Sequence, residues 1–203
     1  MGTRPAELVG FGKSFRLRDE RVTLTATPGP AISLRWGTLA VADPWWPEML
    51  PEHQVIGIAK GEQPTLLSGI TLPREGRTEP APMSCAAAIG PVDQVATWQP
   101  LLEDEEHFHL DSDSALGAFY DITDASVLGP LFEDALHMQQ VYNRALAERI
   151  VTMEVDGRVA AVVFLCPDGS GLYPAWTGFD RDMVAVSVLV DLKLLDDAQM
   201  IDR

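Results

Sequence analysis

The stretch His107-Phe108-His109-Leu110-Asp111-Ser112-Asp113 holds the densest set of ligand-type side chains in the sequence. In an extended chain alternate side chains share a face, so His107, His109, Asp111 and Asp113 line up opposite Phe108 and Leu110. Imidazole with carboxylate suits zinc or iron. The same alternation describes a solvated polar face above two core residues. That is the simpler reading, because the spacing shows no group to orient the imidazoles. No metal and no other cofactor is therefore expected.

The carboxylates Asp43, Asp113, Asp121 and Asp180 are the candidate catalytic groups, for acid–base or metal chemistry. Each also has a plainer use. Asp43 precedes Pro44 and Asp180 precedes Arg181, and both positions suit turns. Ser170 lies between Gly169 and Gly171, but there is no Gly-x-Ser-x-Gly elbow. The phosphate-binding and dinucleotide-binding glycine patterns are missing as well, and His137 has no partner histidine four residues away. Trp36, Trp45, Trp46, Trp98 and Trp176 could line a pocket, with core packing as their ordinary use. Adjacent Trp45 and Trp46 cannot both face inward, so one is expected at an interface. Trp45, Trp46, Tyr173 and Trp176 are the binding candidates.

Thirty acidic residues against 15 basic ones give a net charge of −15. Such a chain repels nucleic acid and anionic lipid, which need Lys and Arg to displace counterions. It suits a basic protein partner, whose approach it would steer. No apolar run reaches a membrane span. The N-terminal residues mix charges with isolated apolar side chains, unlike a secretory signal. The two cysteines, Cys85 and Cys166, sit in apolar runs and suit buried free thiols. A cytoplasmic protein is expected.

These residues must be positioned by a sheet-rich fold. Arg21 to Thr27 alternates as a strand, and Pro28-Gly29-Pro30 is expected to turn the chain. Ile32 to Ala42 reads as a strand pair or a bulged strand, and Gln54 to Ala59 as a short strand. Gly61 to Pro82 reads as loop, with one short strand near Leu66 to Leu72. Met83 to Ile89 is a buried run, and Gln94 to Trp98 a further strand. Ala115 to Tyr120 fits a helical turn. Residues 127–150 read as one long amphipathic helix, with Leu128, Leu131, Phe132, Ala135, Met138, Tyr142, Ala145 and Leu146 as its stripe. Asp156-Gly157 between apolar runs predicts a hairpin. Gly171 to Phe179 and Asp182 to Leu192 predict two more strands. The expectation is an α+β fold: a mostly antiparallel sheet or sandwich with the long helix packed on it. It forms a single domain over 1–203, with its core at about 20–192 and loose ends.

Three segments carry a resemblance. Phe164 to Asp180 contains Phe164, Gly169, Gly171, Tyr173, Pro174, Gly178 and Asp180 in an ungapped pattern, with Phe179 where a tyrosine is usual. Gly37 to Pro44 and Asp113 to Asp121 agree with two further segments in order and spacing. Together they resemble the bacterial domain-of-unknown-function family 4241 (DUF4241), and this chain looks like a diverged member. It departs at Ala115 and Pro167, where the family has glycine, and at Ser170, where the family has aspartate. Serine keeps a hydroxyl but cannot carry the charge. With Gly169 and Gly171 retained, backbone shape is the feature preserved. Two functions stay open. One is a non-catalytic protein-binding module, with an immunity or antitoxin protein as the example. The other is a metal- or carboxylate-dependent hydrolase using Asp43, Asp113, Asp121 and His109.

Overall fold

The computed structural model describes residues 5–10, 12–17, 19–45, 55–72, 81–103, 106–196 and 198–201. A short helix α1 (Pro5–Leu8) leads into β1 (Ser14–Leu17), β2 (Glu20–Thr23), β3 (Thr25–Leu34), β4 (Thr38–Ala42) and β5 (Val55–Gly57). Next come β6 (Gly61–Leu72), β7 (Ala81–Ile89), β8 (Thr97–Pro100), β9 (Leu102–Glu103), β10 (Glu106–His107), β11 (His109–Ser112) and β12 (Leu116–Asp121). Helices α2 (Ala125–Glu133) and α3 (Ala135–Glu148) precede β13 (Ile150–Val155), β14 (Arg158–Leu165), β15 (Gly171–Phe179), β16 (Ala185–Asp191) and β17 (Gln199–Met200).

Among the described residues the strands build two large antiparallel sheets, a three-stranded sheet and the two-stranded pair β9–β10. The five-stranded sheet runs β13-β14-β12-β4-β5. The seven-stranded sheet runs β11-β15-β16-β7-β6-β3, with β8 pairing the far half of β15. A three-stranded sheet runs β17-β1-β2. Apolar faces decide how these stack. Val162 and Phe164 of β14 meet Ile32, Ile89 and Val188 between the two large sheets. Ala161 and Val163, on the opposite face of β14, meet Leu128, Phe132, Met138 and Val141 of the helices. Leu189, Ala86 and Ala88 face the small sheet and α1 through Phe15, Leu17, Val22 and Leu8. The order of layers is helices, five strands, seven strands, three strands. The α+β expectation holds at this level.

Several local expectations are corrected. The single long helix over 127–150 is two helices. Asp134 is extended, at φ −74° and ψ 102°, and its carboxylate accepts the N–H groups of Leu136 and His137 at 2.9 and 3.1 Å. Asp134, inside the span read as one helix, is thus the N-cap of α3. The break shows in the buried stripe, which steps by six from Phe132 to Met138 and leaves Ala135 and Leu146 exposed. Nor does Pro28-Gly29-Pro30 turn the chain. β3 runs through it at the edge of its sheet, where a missing N–H is harmless, and a bulge between Gly29 and Ile32 absorbs the irregularity. The Thr65 hydroxyl donates to the Pro30 carbonyl at 2.6 Å.

The expected loop over 61–82 opens with a twelve-residue strand, β6, held between β3 and β7. Ala115 to Tyr120 is no helical turn but the central strand β12, buried along its whole length. Burial on both faces erased the alternation that would have marked it. The ends, expected loose, pair with each other, with Phe15 opposite Met200 and Arg16 opposite Gln199. The Asp156-Gly157 hairpin forms as expected, with φ 52° and 74° at the two turn residues.

Candidate functional site

β3 and β4 belong to different sheets, and the turn between them, Arg35-Trp36-Gly37, crosses from one to the other. Gly37 has φ 73°, and a side chain there would strike the Ile58 carbonyl, so only glycine fits. The turn is gripped by Asp121, the last residue of β12. Its Oδ2 accepts the Arg35 N–H at 2.6 Å and the Trp36 N–H at 3.4 Å. Its Oδ1 accepts the Thr38 hydroxyl at 3.1 Å and both the N–H and the hydroxyl of Thr123 at 2.9 and 2.8 Å. Burial alone would raise the Asp121 pKa. The donors from Thr123, Arg35 and Trp36 outweigh it and hold the carboxyl below its ordinary value. Asp121 therefore stays ionised and fixes the turn. The turn presents the Trp36 side chain to solvent, 74% exposed. Beside it, Arg158 at the head of β14 pairs with Asp124 at the start of α2. Among the described residues Asp124 Oδ2 and Arg158 Nε and Nη1 have no further partner.

Asp43 organises a second corner. Its Oδ2 accepts the N–H groups of Asp113 and Ser114, each at 2.8 Å. Its Oδ1 accepts the Ser114 hydroxyl at 2.6 Å and the Trp45 N–H at 2.8 Å. Ser170 donates its hydroxyl to the Asp113 carbonyl at 2.7 Å, and Tyr173 donates to the Gly169 carbonyl at the same distance. Ala115 sits in this loop at φ 63°. All three segments of the sequence resemblance meet here, and the contacts are those of a chain-crossing brace.

The four candidate acids do not form one centre. Asp121 is paired with Leu39 at one end of the β4–β12 pair, and Asp43 follows Ala42, paired with Ala118, at the other end. Four residues of strand separate Leu39 from Asp43, roughly 13 Å. Asp113 lies at the Asp43 end with its side chain exposed. Asp180 caps its own turn, its Oδ1 accepting the N–H groups of Asp182 and Val184 at 2.9 Å. His107, His109 and Asp111 do share the outer face, over buried Phe108 and Leu110. His107 and His109 stack with ring centres 5.0 Å apart, and His107 meets the edge of Trp176 at 4.9 Å. His107 Nε2 donates to the Ala175 carbonyl at 2.9 Å. Burial and neighbouring His107 lower the His109 pKa. Among the described residues no three of His, Cys, Asp and Glu gather as a metal centre.

The aromatic candidates separate as well. Trp45 is half-buried against the helix-side core. Trp46 lies outside the described residues. Tyr173 is core, 2% exposed, and Trp176 is half-buried beside the terminal sheet. Among the described tryptophans the exposed one is Trp36, whose ordinary use would be core packing. Its signal was Gly37, which marks a turn tip and puts its neighbour in water. Searches of family models, curated proteins and solved structures match nothing to this chain.

Proposed function

We propose that this chain is a non-catalytic protein-binding module, of the kind that masks a toxin or another bacterial partner, with Trp36 at the centre of its binding face. The observation that carries the reading is a 74% exposed tryptophan on a turn that Asp121 holds at three points: the N–H groups of Arg35 and Trp36, and the hydroxyl of Thr38. A fixed, exposed aromatic loses little entropy on binding and supplies a large apolar area, as interface anchors do. The net charge of −15 suits a basic partner.

Two supporting details go with this reading. The meeting of the three resembling segments at the Asp43 brace supports diverged membership of family 4241. Cys85 and Cys166, both free and buried, suit the cytoplasm. Among the described residues no helix is long and apolar enough to cross a membrane. The hydrolase reading gains nothing from the site, since Asp43 and Asp121 spend their oxygens on backbone and hydroxyl donors at opposite ends of β4.

The test is affinity capture from the native host, with the wild-type chain and Trp36→Ala compared by quantitative mass spectrometry. A partner held in stoichiometric amount by the wild type and at least tenfold more weakly by the variant is expected. The melting temperature should barely move, because the side chain packs on little. No stoichiometric partner, or a partner indifferent to Trp36, would sink the proposal.

A further inference from the structure

Among the described residues β13 is the longest sheet-edge strand that carries no proline. β3, the edge of the seven-stranded sheet, carries Pro28 and Pro30. β5 is three residues long, and β8 and β11 are four each, with β8 ending in Pro100. Short strands and prolines are the ordinary means of blunting an edge. β13 has six residues, Ile-Val-Thr-Met-Glu-Val, with no proline and no lysine, and among the described residues it pairs only with β14.

The register shows which groups this edge offers. The Leu165 N–H donates to the Arg149 carbonyl at 3.1 Å, and Ile150, Val151, Thr152 and Met153 stand opposite Phe164, Val163, Val162 and Ala161. Bonded and non-bonded pairs alternate in an antiparallel ladder. Val151 and Met153 therefore exchange bonds with β14, and Ile150 and Thr152 turn their N–H and C=O groups outward. A row of outward donors and acceptors at strand spacing is complementary to the backbone of another strand. Where β13 begins, a groove of about 260 Å³ opens, lined by Thr25, Thr27, Ser68, Arg149 and Ile150 among others. The Arg149 Nε and Ser68 Oγ of this groove have no hydrogen-bond partner among the described residues. Glu154 and Asp156 are exposed at the far end of the strand.

We propose that β13 accepts a sixth strand, an extended segment of a protein partner that carries lysine or arginine beside its pairing residues. The inference rests on the binding-module reading and adds a second surface, with the chemistry of its occupant. A second copy of the chain fits less well, because each copy carries a net charge of −15.

The test uses the full chain and a labelled heptapeptide of alternating Thr and Val with Lys at both ends, read by fluorescence anisotropy. Matched peptides carry Glu in place of Lys, or a central Pro. Saturable binding of the basic peptide is expected, at least tenfold weaker for both controls. Thr152→Pro removes an outward N–H that β14 does not use, and it should abolish binding. Glu154→Lys leaves the backbone whole and should weaken binding several-fold, so it decides the matter should Thr152→Pro fail to fold. No saturation by about 1 mM, or wild-type affinity in the foldable variants, overturns the proposal. So does a doubled sedimentation mass that Thr152→Pro abolishes, since that gives the edge to a second copy. Trp36→Ala should leave peptide binding untouched, which separates failure of this edge from failure of the Trp36 face.

Discussion

Asp121 and Asp191 both end strands and both are buried, yet their surroundings push them in opposite directions. Asp121 closes β12 inside a ring of donors from Arg35, Trp36, Thr38 and Thr123. Asp191 closes β16 against the side of the core that holds Cys85, and one backbone donor reaches it, the Lys193 N–H at 2.9 Å. Burial, with the charge of Asp196, raises the Asp191 pKa to about 6, and the Lys193 hydrogen bond and charge offset this only in part. The thiol of Cys85 is pushed to about 12, by burial first and by the Asp191 charge second. The difference lies in donor count. A buried carboxylate surrounded by N–H and O–H groups stays charged and fixes the backbone around it. With a single donor it remains a liability that the fold tolerates.

The comparison can be broken most decisively at Asp121. Asp121→Asn puts amide hydrogens among donors and removes the charge they serve, so a loss of roughly 4 kcal/mol in urea unfolding at pH 7 is expected. Faster hydrogen exchange at the amides of Arg35 and Trp36 should accompany it. A variant as stable as the wild type would mean the ring of donors contributes nothing net. Next in size, Asp191→Asn should stabilise the chain by up to about 3 kcal/mol at pH 7. The sign follows from the raised folded pKa. The stability this group permits is fully present below the unfolded value of 3.8 and is lost as the pH rises through about 6. The gain should therefore vanish near pH 4. Asp121 behaves oppositely: with a depressed folded pKa, its contribution is present above the ordinary carboxylate value and is lost on acidification. A gain from Asp191→Asn that is flat between pH 4 and 7 would refute the desolvation account. The smallest effect belongs to another buried acid, Asp43, whose partner loop holds Ala115 at φ 63°. Ala115→Gly should raise stability by about 0.5–1 kcal/mol, visible as a higher urea midpoint with an unchanged slope.

What the sequence disclosed follows the range of each signal. The Asp156-Gly157 hairpin and strand β15 were legible because turn residues and apolar runs act locally. The layering was partly legible, since two-period runs outnumbered the helical one. Asp134 was misread because the apolar stripe continued beyond it, though an aspartate before Ala-Leu-His is also a helix start. β12 and β6 were obscured because their conformation is set by neighbours on both sides. The candidate acids were found for the right residue types, but their roles were not. Asp121 meets its donors on Arg35, Trp36 and Thr38 83 to 86 positions away, and Asp43 meets Asp113 70 positions away. No local pattern reports who will stand opposite. The Asp124–Arg158 pair was missed for the same reason.

The pairing of β1 with β17 carries a consequence in time. It joins Phe15 to Met200, positions 185 apart (200 − 15). Ring closure of that size costs more entropy than closing a local hairpin, so this pairing is expected to part before the central sandwich does. Cys85 lies in the core cluster that Phe15, Leu17 and Leu8 cover. Its labelling rate should therefore report the opening of this terminal sheet while the central sandwich stays closed.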